Sequence, residues 1–463
     1  MGGDGGWRRF LPPDRTAWLA AAAGAALVLV TALVVALWPG PSRPHCDRDN
    51  LVVAGGTDVS LNDQRRKLVQ DWNDGRPDGR RHRHATLVEV SESADLQHSQ
   101  LKAVQESRGC GYDVLIMDNT WTAQFAAGGY LLPLTGIGDL RDFFDAALET
   151  GTWDGKRYAV PFNADVGLLY SRRGEDVPAS WPGLLDKGPA VQLADYEGLT
   201  VNALEAVWND GGAGLLTGTG RPSEADLRGR VYPALVRLAR RQGRLAASRQ
   251  ARELDSIQAF VSGTPLMRNW PYAFSALATE PKMRDGDELR FEVGALPGDG
   301  VLGGQNLAVS AYSPHPGDAA ELVRFLSGPY SQRRLFSCGG FAPARYSALG
   351  LRPDDLSPDA VRVRPCAAIA GARSTAGERE AEESFLPGEA QLTALGRAIV
   401  SALPRAKSRP VTPHYSTFTA TFRSCVEKIF RDYDTYAQND AGVGAATFAA
   451  AVDRALDGRA ASC

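Results

Sequence analysis

Short apolar runs alternate with amphipathic stretches along the first third of the chain. The runs 51–54, 86–90 and 114–117 are rich in β-branched and long apolar residues but too short for helices, so they predict buried strands. Apolar positions at helical spacing predict helices between these strands, over about 60–73 and 94–106. Such strand–helix alternation is typical of an α/β fold whose neighbouring strands run parallel.

The same reading extends to the rest of the chain. An apolar run over 166–170 predicts a further strand, and the acidic, weakly hydrophobic stretch 371–384 predicts a surface loop or a frayed helix. Further helices are expected over 199–208, 227–242, 389–402, 416–432 and 444–457.

The N-terminus holds one long uncharged segment. Residues 17–38 are rich in Ala, Leu and Val, and are long enough to cross a hydrocarbon core about 30 Å thick. Three arginines precede the segment, so the positive-inside rule predicts a cytoplasmic tail over 1–16 and an extracellular remainder. The Pro-rich stretch 39–49 is then a spacer. A cleaved signal and a lipoprotein attached through Cys46 are the alternatives, but the run is longer than a usual signal core.

Charge and cysteine content add two constraints. A formal net charge of −3 over 463 residues argues against nucleic-acid binding, and we interpret the basic run 80–84 as a solvated loop. Six cysteines in an extracellular compartment are expected to form disulfides. No CxxC motif is present, so neither a zinc site nor a redox role is expected.

The predicted topology favours one set of disulfides. Cys46 and Cys110 each precede a strand, and in a sheet of order 2-1-3 those two strands are neighbours. The other four cysteines flank a short segment or bracket the last two helices. The predicted pairs are Cys46–Cys110, Cys338–Cys366 and Cys425–Cys463.

Polar and aromatic side chains follow two of the predicted strands. Thr57 and Asp58 come shortly after the first strand, and Asp118, Asn119 and Trp121 follow the third. Open α/β sheets bind ligands at the carboxyl ends of their strands. Planar polar groups beside an aromatic ring suit a molecule with hydroxyl groups and apolar faces. Because no nucleophile, metal cage or phosphate loop accompanies these residues, they predict a cleft for a neutral polar solute, without metal or cofactor.

The order of motifs resembles the extracellular solute-binding proteins of ABC importers, in the branch that binds maltose, trehalose and related oligosaccharides. The resemblance covers roughly residues 50 to 450. The segments that carry it are 113–118 with Trp121, 128–134, 153–155, 160–170, 196–200, 259–263, 267–272, 296–298 and 302–310.

The resemblance implies a periplasmic-binding-protein-like, two-lobe α/β fold of type II, in which each lobe is a mostly parallel sheet flanked by helices. Lobe one is expected to comprise 50–161 and 298–328, and lobe two 168–292 and 337–463. The chain would cross between the lobes near 162–167, 293–297 and 329–336.

The resemblance also implies that both lobes contribute ligand contacts. Asn163 and Asp165 lie at the first crossing, and two adjacent glycines permit close approach of a ligand to the backbone. The candidate ligand-binding residues are Thr57, Asp58, Asp118, Asn119, Trp121, Asn163, Asp165, Tyr196, Glu197, Arg268, Trp270, Gly303 and Gly304. Several have structural alternatives: Trp121 could belong to the core, and Asp58 and Asp118 could cap the helices that follow them.

The implied function is that of a membrane-anchored, monomeric extracellular protein. It would capture a sugar or oligosaccharide by hinge closure and deliver it to an ABC permease in the same membrane. A ligand-sensing receptor of the same fold, without transport, is the main alternative, and a surface protein with a degenerate cleft is a third. Hydrolysis is disfavoured, because the carboxylates of Asp118 and Glu197 would lie on separately moving lobes.

Overall fold

The computed structural model describes residues 48–75, 82–370, 386–436 and 444–463. All of them belong to one compact unit, Arg48–Cys463. The described ranges contain no helix that is both long and apolar enough to cross a membrane. The predicted tail, anchor and most of the spacer lie outside the described residues, as do Cys46 and the predicted loop 371–384.

The strands are β1 (Leu51–Gly56), β2 (Ala85–Val90), β3 (Val114–Asp118), β4 (Thr152–Trp153), β5 (Lys156–Arg157), β6 (Ala159–Pro161), β7 (Leu168–Arg172), β8 (Leu266–Asn269), β9 (Arg284–Asp285), β10 (Glu288–Leu289), β11 (Phe291–Ala295), β12 (Gly300–Leu302), β13 (Gln305–Val309) and β14 (Ala406–Ser408). The four predicted strands correspond to β1, β2, β3 and β7, and ten further strands lie in the described part of the chain.

Many of the helices are short. The helices are α1 (Gln64–Asn73), α2 (Ala94–Glu106), α3 (Thr122–Ala127), α4 (Asp145–Glu149), α5 (Trp181–Asp186), α6 (Glu197–Asn209), α7 (Glu224–Asp226), α8 (Tyr232–Arg240), α9 (Glu253–Val261), α10 (Ala273–Thr279), α11 (Pro316–Leu326), α12 (Pro329–Gly339), α13 (Cys366–Ala370), α14 (Glu389–Ala402), α15 (Tyr415–Tyr436) and α16 (Ala445–Leu456).

The first sheet has five strands in the order β2-β1-β3-β13-β6. Strand β1 pairs in parallel with β2 and β3, which confirms the order 2-1-3 expected from the strand–helix alternation. Alternate residues of β3 face opposite sides of the sheet. Val114 and Ile116 therefore pack into one hydrophobic cluster, whereas Leu115 and Met117 pack into another.

The second sheet differs from its prediction, because it is antiparallel. Its order is β11-β7-β8, and both of its strand pairs run antiparallel. The connectivity explains the difference. Strand β7 follows directly from β6 of the first sheet, and β11 leads back to β13 of that sheet. Strands that enter and leave the same layer run in opposite directions, so they pair antiparallel when they lie side by side. The expectation of a mostly parallel second sheet was therefore wrong. In the first sheet it holds for only two of the four strand pairs, because β13 runs antiparallel to β3 and β6.

Two connections join the strands of one sheet to those of the other, and the crossings expected at 162–167 and 293–297 stay predictions. Residues 162–167 join β6 to β7, and residues 296–304, which contain β12, join β11 to β13. The third expected crossing, 329–336, lies within α12, which packs against α1 and α11. The next long helix, α14, packs on β11 of the second sheet.

Two disulfides lie within the described residues. They join Cys338 to Cys366 and Cys425 to Cys463, the same pairs that the predicted topology favours. The first links α12 to α13, and the second links α15 to the C-terminus. The expected partner of Cys110 lies outside the described residues.

Candidate functional site

A cavity of about 220 Å³ lies between the two sheets. It lies at the carboxyl ends of β3 and β8 and beside the connection that contains β12. Nine of the candidate ligand-binding residues line it: Thr57, Asp118, Asp165, Tyr196, Glu197, Arg268, Trp270, Gly303 and Gly304. Residues that are up to about 250 positions apart in sequence thus share one wall.

The other four candidates do not line the cavity. The Asp58 carboxylate accepts hydrogen bonds from the backbone N–H groups of Ser60 and Arg65, at 2.9 and 2.8 Å, and so caps the start of α1. Asn119 donates to the carbonyl oxygen of Gly303 at 2.9 Å. Asn163 donates to Asp165 at 2.7 Å. These polar groups hold the cavity wall in place, and a direct contact with ligand stays a prediction.

Trp121 lies on the far side of Glu197 from this cavity. It packs edge-on against His98, with 5.2 Å between the ring centroids, and is 5% exposed. Both side chains line a separate cavity of about 260 Å³, beside α2 and α15. Its placement matches the alternative in which this tryptophan belongs to the core of the first sheet.

Arg409 is the most highly connected side chain of the site and has no sequence motif around it. Its guanidinium donates to Asp118 at 2.8 Å, to Glu197 at 2.7 Å and to the Asn119 side chain at 3.1 Å. Arg409 directly follows strand β14, and the pairing of β14 with β12 places it at the cavity. The bridge joins the end of β3 to the start of α6.

Two residues of α15 complete the surroundings of Glu197. The hydroxyl groups of Tyr415 and Thr419 both donate to its carboxylate, the second at 2.8 Å. Burial raises the pKa of Glu197, while Arg409 opposes that rise. The carboxylate oxygens of Glu197 are therefore already engaged by the protein.

Arg268 and Glu205 form a pair that is closed to solvent. The guanidinium donates to the carboxylate through Nε at 3.0 Å and Nη2 at 2.7 Å, and neither side chain is exposed. The same carboxylate accepts the backbone N–H of Val301 at 2.9 Å. The guanidinium also lies over the ring of Trp270, 4.0 Å from its centroid. This pair fixes both the indole and the β12 connection.

Arg65 is the third guanidinium that lines the cavity. It is 3% exposed and donates to the carbonyl oxygen of Gly56 at 2.8 Å and to the Gln305 side chain at 2.7 Å. Its Nε lies 3.7 Å from a carboxylate oxygen of Asp58. All three cavity arginines therefore have a carboxylate partner within the protein.

Asp165 stands out electrostatically. It is 8% exposed, and its Oδ1 atom has no hydrogen-bond partner among the described residues. Burial raises its pKa from 3.8 to about 7, although the backbone of Ala342, the charge of Arg65 and the hydrogen bond from Asn163 pull it down. Glu253, which also lines the cavity, has a pKa raised by burial.

Aromatic rings supply the apolar part of the wall. Trp270 stands opposite the glycines: a Cβ built on Gly303 would lie 3.1 Å from its ring. Tyr196, Tyr272 and Phe341 line the same space. Sequence reasoning missed Arg409, Gln192, Glu253, Tyr272, Gln305 and Phe341. Tyr272 is two residues from Trp270 and could have been found by its proximity, whereas Arg409 carries no local signal.

A substitution at Gly304 tests how tightly the backbone is packed here. Gly304 has φ of +102°, and a Cβ would lie 2.3 Å from the carbonyl oxygen of Asn163. We expect Gly304→Ala to lower the free energy of unfolding by about 2–3 kcal/mol, measured by urea denaturation. Gly286 also has positive φ (+61°) but nothing within 4 Å of a Cβ. Gly286→Ala should therefore cost only about 1 kcal/mol, and equal losses would mean that the contact with Asn163 relaxes freely.

Two sheets joined by crossing strands, with a polar and aromatic cavity between them, define a two-lobe ligand-binding protein. The family model for bacterial extracellular solute-binding proteins matches residues 81–360. The chain therefore belongs to that family, which is one of binding proteins rather than enzymes. This confirms the resemblance to solute-binding proteins that the motifs indicated.

Known relatives agree with this assignment. A protein of Deinococcus radiodurans described as a probable ABC transporter-binding protein is 27% identical over 288 residues. That match spans 54% of this chain and 66% of the relative's length.

Solved structures support the two-lobe fold. The maltose-bound MalE3 of T. maritima is 20% identical with a TM-score of 0.65, over 88% of this chain and 99% of that one. The GacH receptor of Streptomyces glaucescens is 18% identical with a TM-score of 0.62, over 89% of this chain and 100% of that one. At such identities the likeness concerns the fold.

Proposed function

We propose that this protein captures a sugar or oligosaccharide by hinge closure and delivers it to an ABC permease. The observation that carries the proposal is the cavity between the two sheets, where an indole, two tyrosines and several fixed polar groups face a common space. Rings that cover C–H faces and planar groups that bind hydroxyls are what sugar recognition requires. Maltose stands in the name of one of the similar structures, which agrees with this class of ligand.

The lobe boundaries expected from the sequence are part of the proposal. With hinges at 162–167 and 293–297, Asp118 belongs to lobe one, whereas Glu197 and Arg409 belong to lobe two. The Arg409 bridge would then hold the lobes together, as would the contact of Arg423 in α15 with Asp95 in α2, at 3.0 Å. A ligand stabilises the closed form only through contacts that differ between the open and closed states.

An anionic ligand fits this cavity poorly. Its three arginines are each engaged by a carboxylate, and five carboxylates line the same space: Glu92, Asp118, Asp165, Glu197 and Glu253. A further negative charge would be repelled by these groups. The charge distribution supports the expectation of a ligand that is not an anion.

Location and partner follow from the family and the N-terminal sequence together. We propose that residues 17–38 anchor the protein in the cell membrane as a single pass, with 1–16 in the cytoplasm and the main domain outside as a monomer. An anchored protein stays in the same membrane as its permease. Protease treatment of intact cells should then remove the main domain and leave an epitope tag on the N-terminus protected.

The receptor alternative has one observation behind it, since a similar structure is named as a receptor. Deletion of the permease distinguishes the two roles. Loss of sugar uptake on deletion of either partner supports transport, whereas a sugar response that survives permease deletion supports a sensor.

A thermal-shift screen of the detergent-solubilised full chain tests the ligand class. We expect one class of sugar to raise the melting temperature saturably, and Trp270→Ala to weaken its affinity about 30-fold, since a central tryptophan contributes about 2 kcal/mol to binding. Trp153→Ala is the matched control because Trp153 lies in β4, away from the cavity wall. A screen with amino acids and peptides runs in parallel, and a shift with these but with no sugar would refute the proposal.

A further inference from the structure

The carboxylates around the cavity outnumber the cations that could balance them. Arg268 is neutralised by Glu205 at 2.7 Å, and Arg409 by Asp118 and Glu197 at 2.8 and 2.7 Å. Arg65 faces Asp58 at 3.7 Å. Once these partners are paired, the cavity has no unpaired guanidinium left among the described residues.

Three carboxylates that line the cavity remain without an ion pair in the described part of the chain: Glu92, Asp165 and Glu253. Glu92 is exposed, so water can solvate its charge. Asp165 is 8% exposed, and its Oδ1 has no hydrogen-bond partner there either. Glu253 is half-buried at the first turn of α9. A buried carboxylate without a counter-charge is costly unless it is protonated or receives a cation.

The surroundings of Asp165 fit a hydroxylated cation better than a bare one. A Cβ built on Gly303 would lie 3.5 Å from the Cβ of Asp165 and 3.1 Å from the ring of Trp270, so these two side chains are neighbours. Tyr196 and Tyr272 line the same space. Aromatic faces attract cations as well as apolar C–H groups. Hydrogen-bonding groups such as Gln192 and Gln305 complete the wall.

Each simple class of ligand would change the balance of charge in the cavity differently. An anion would add to the excess of negative charge. A neutral sugar would bury Asp165 and Glu253 further without a counter-charge. A protonated amine would donate up to three hydrogen bonds and supply the missing positive charge.

We propose that the cavity contains an amine subsite formed by Asp165 and Glu253, and that the solute is a sugar bearing a protonated primary amine. This rests on the proposed function, because it concerns the chemistry of the ligand that the solute-binding cavity takes. It departs from the neutral ligand that the sequence favours.

Isothermal titration of the detergent-solubilised full chain with isosteric sugar pairs provides the test. D-glucosamine and D-glucose differ by an ammonium in place of one hydroxyl, and the β-1,4-linked dimer of glucosamine differs from cellobiose by two such replacements, one on each ring. At pH 7 we expect the amine-bearing member of at least one pair to bind at least tenfold more tightly than its neutral partner.

Two conservative variants test which residues cause the preference for the amine-bearing sugar. Asp165→Asn and Glu253→Gln keep the shape of each side chain but remove its charge, and each should reduce the amine-to-neutral affinity ratio at least fivefold. Asp285→Asn is the control, because that carboxylate is 82% exposed and lies outside the cavity wall, and it should retain the wild-type ratio.

The outcomes separate this inference from the proposed function. Equal or tighter binding of the neutral sugars overturns the amine subsite and leaves a sugar-binding protein. A preference that survives in both cavity variants overturns the assignment to Asp165 and Glu253. If none of the four sugars binds while a non-sugar solute does, both the subsite and the sugar proposal fall.

Discussion

Asp165→Asn is expected to raise the free energy of unfolding of the unliganded protein by about 4 kcal/mol at pH 8. At pH 4 the same substitution should change that free energy by less than about 1 kcal/mol. A conservative substitution at a cavity residue would thus stabilise the protein substantially, and only at neutral and alkaline pH.

The sign follows from the direction of the pKa shift. Burial raises the pKa of Asp165 from 3.8 to about 7, with the Ala342 backbone, Arg65 and Asn163 opposing the rise and Asp118 adding to it. Between these two values the folded protein holds a proton that the unfolded chain releases. The stability of the wild type therefore falls by about 1.4 kcal/mol per pH unit as pH rises through this window. Asparagine carries no charge and still accepts the hydrogen bond from Asn163.

Urea denaturation of the full chain at several pH values between 4 and 8 measures this effect. The gain should grow steadily across the range and level off above pH 7. The exposed carboxylate of Asp285 provides the control, since Asp285→Asn should show no comparable gain at any pH. If Asp165→Asn is as stable as the wild type at pH 8, then Asp165 is ionised there at no cost.

The ligand should reduce the difference in stability between the wild type and Asp165→Asn. A saturating amine sugar supplies the counter-charge that the free cavity lacks, so it should stabilise the wild type more than Asp165→Asn. The free protein would then be less stable because an uncompensated carboxylate is buried in its binding site. Such a loss of stability at a binding site is common.

Arg268→Met is expected to lower the free energy of unfolding by about 3–5 kcal/mol. The substitution removes the cation but leaves the Glu205 carboxylate with no exposure to water. That carboxylate also accepts a hydrogen bond from the backbone N–H of Val301 in β12. The substitution should therefore also destabilise the connection that contains Gly303 and Gly304. The ring of Trp270 would lose the guanidinium that lies over it.

A matched pair of arginines separates burial from simple ion pairing. Arg173 and Glu288 also lie 2.7 Å apart, but their side chains are 54% and 74% exposed. Arg173→Met should therefore cost less than about 1 kcal/mol. The double variant Arg268→Met with Glu205→Leu should recover much of the stability, since it removes the buried charge. A loss at Arg268 no larger than that at Arg173 would contradict this account.

Strand positions could be predicted because they depend on local pattern. Apolar runs of four or five residues, as in β1 and β3, bury on both faces and form strands wherever the sheet is covered on both sides. Helices with regular apolar spacing, such as α2 and α14, were likewise placed within a residue or so of their ends. The direction of β7 and β8 depends on connectivity between layers, which no local pattern encodes.

The candidate site divides in a similar way. Asp118 ends a predicted strand, so its place at the cavity could be expected from topology, whereas Trp270, which follows β8, was expected only from the family resemblance. Asp58 and Trp121 have the same residue types in the same kind of position, yet they cap a helix and pack in the core. Distinguishing the two outcomes depends on side-chain direction and on neighbours distant in sequence.

The sequence by itself predicted the strands β1, β2 and β3, their order in the first sheet and two disulfides, because hydrophobic periodicity and chain connectivity are local properties. Only the tertiary structure decided the antiparallel second sheet, the Arg409 bridge and the excess of unpaired carboxylates in the cavity. These depend on contacts between residues up to 291 positions apart, as between Asp118 and Arg409. The energies of such contacts depend on burial, and burial is a property of the folded chain as a whole.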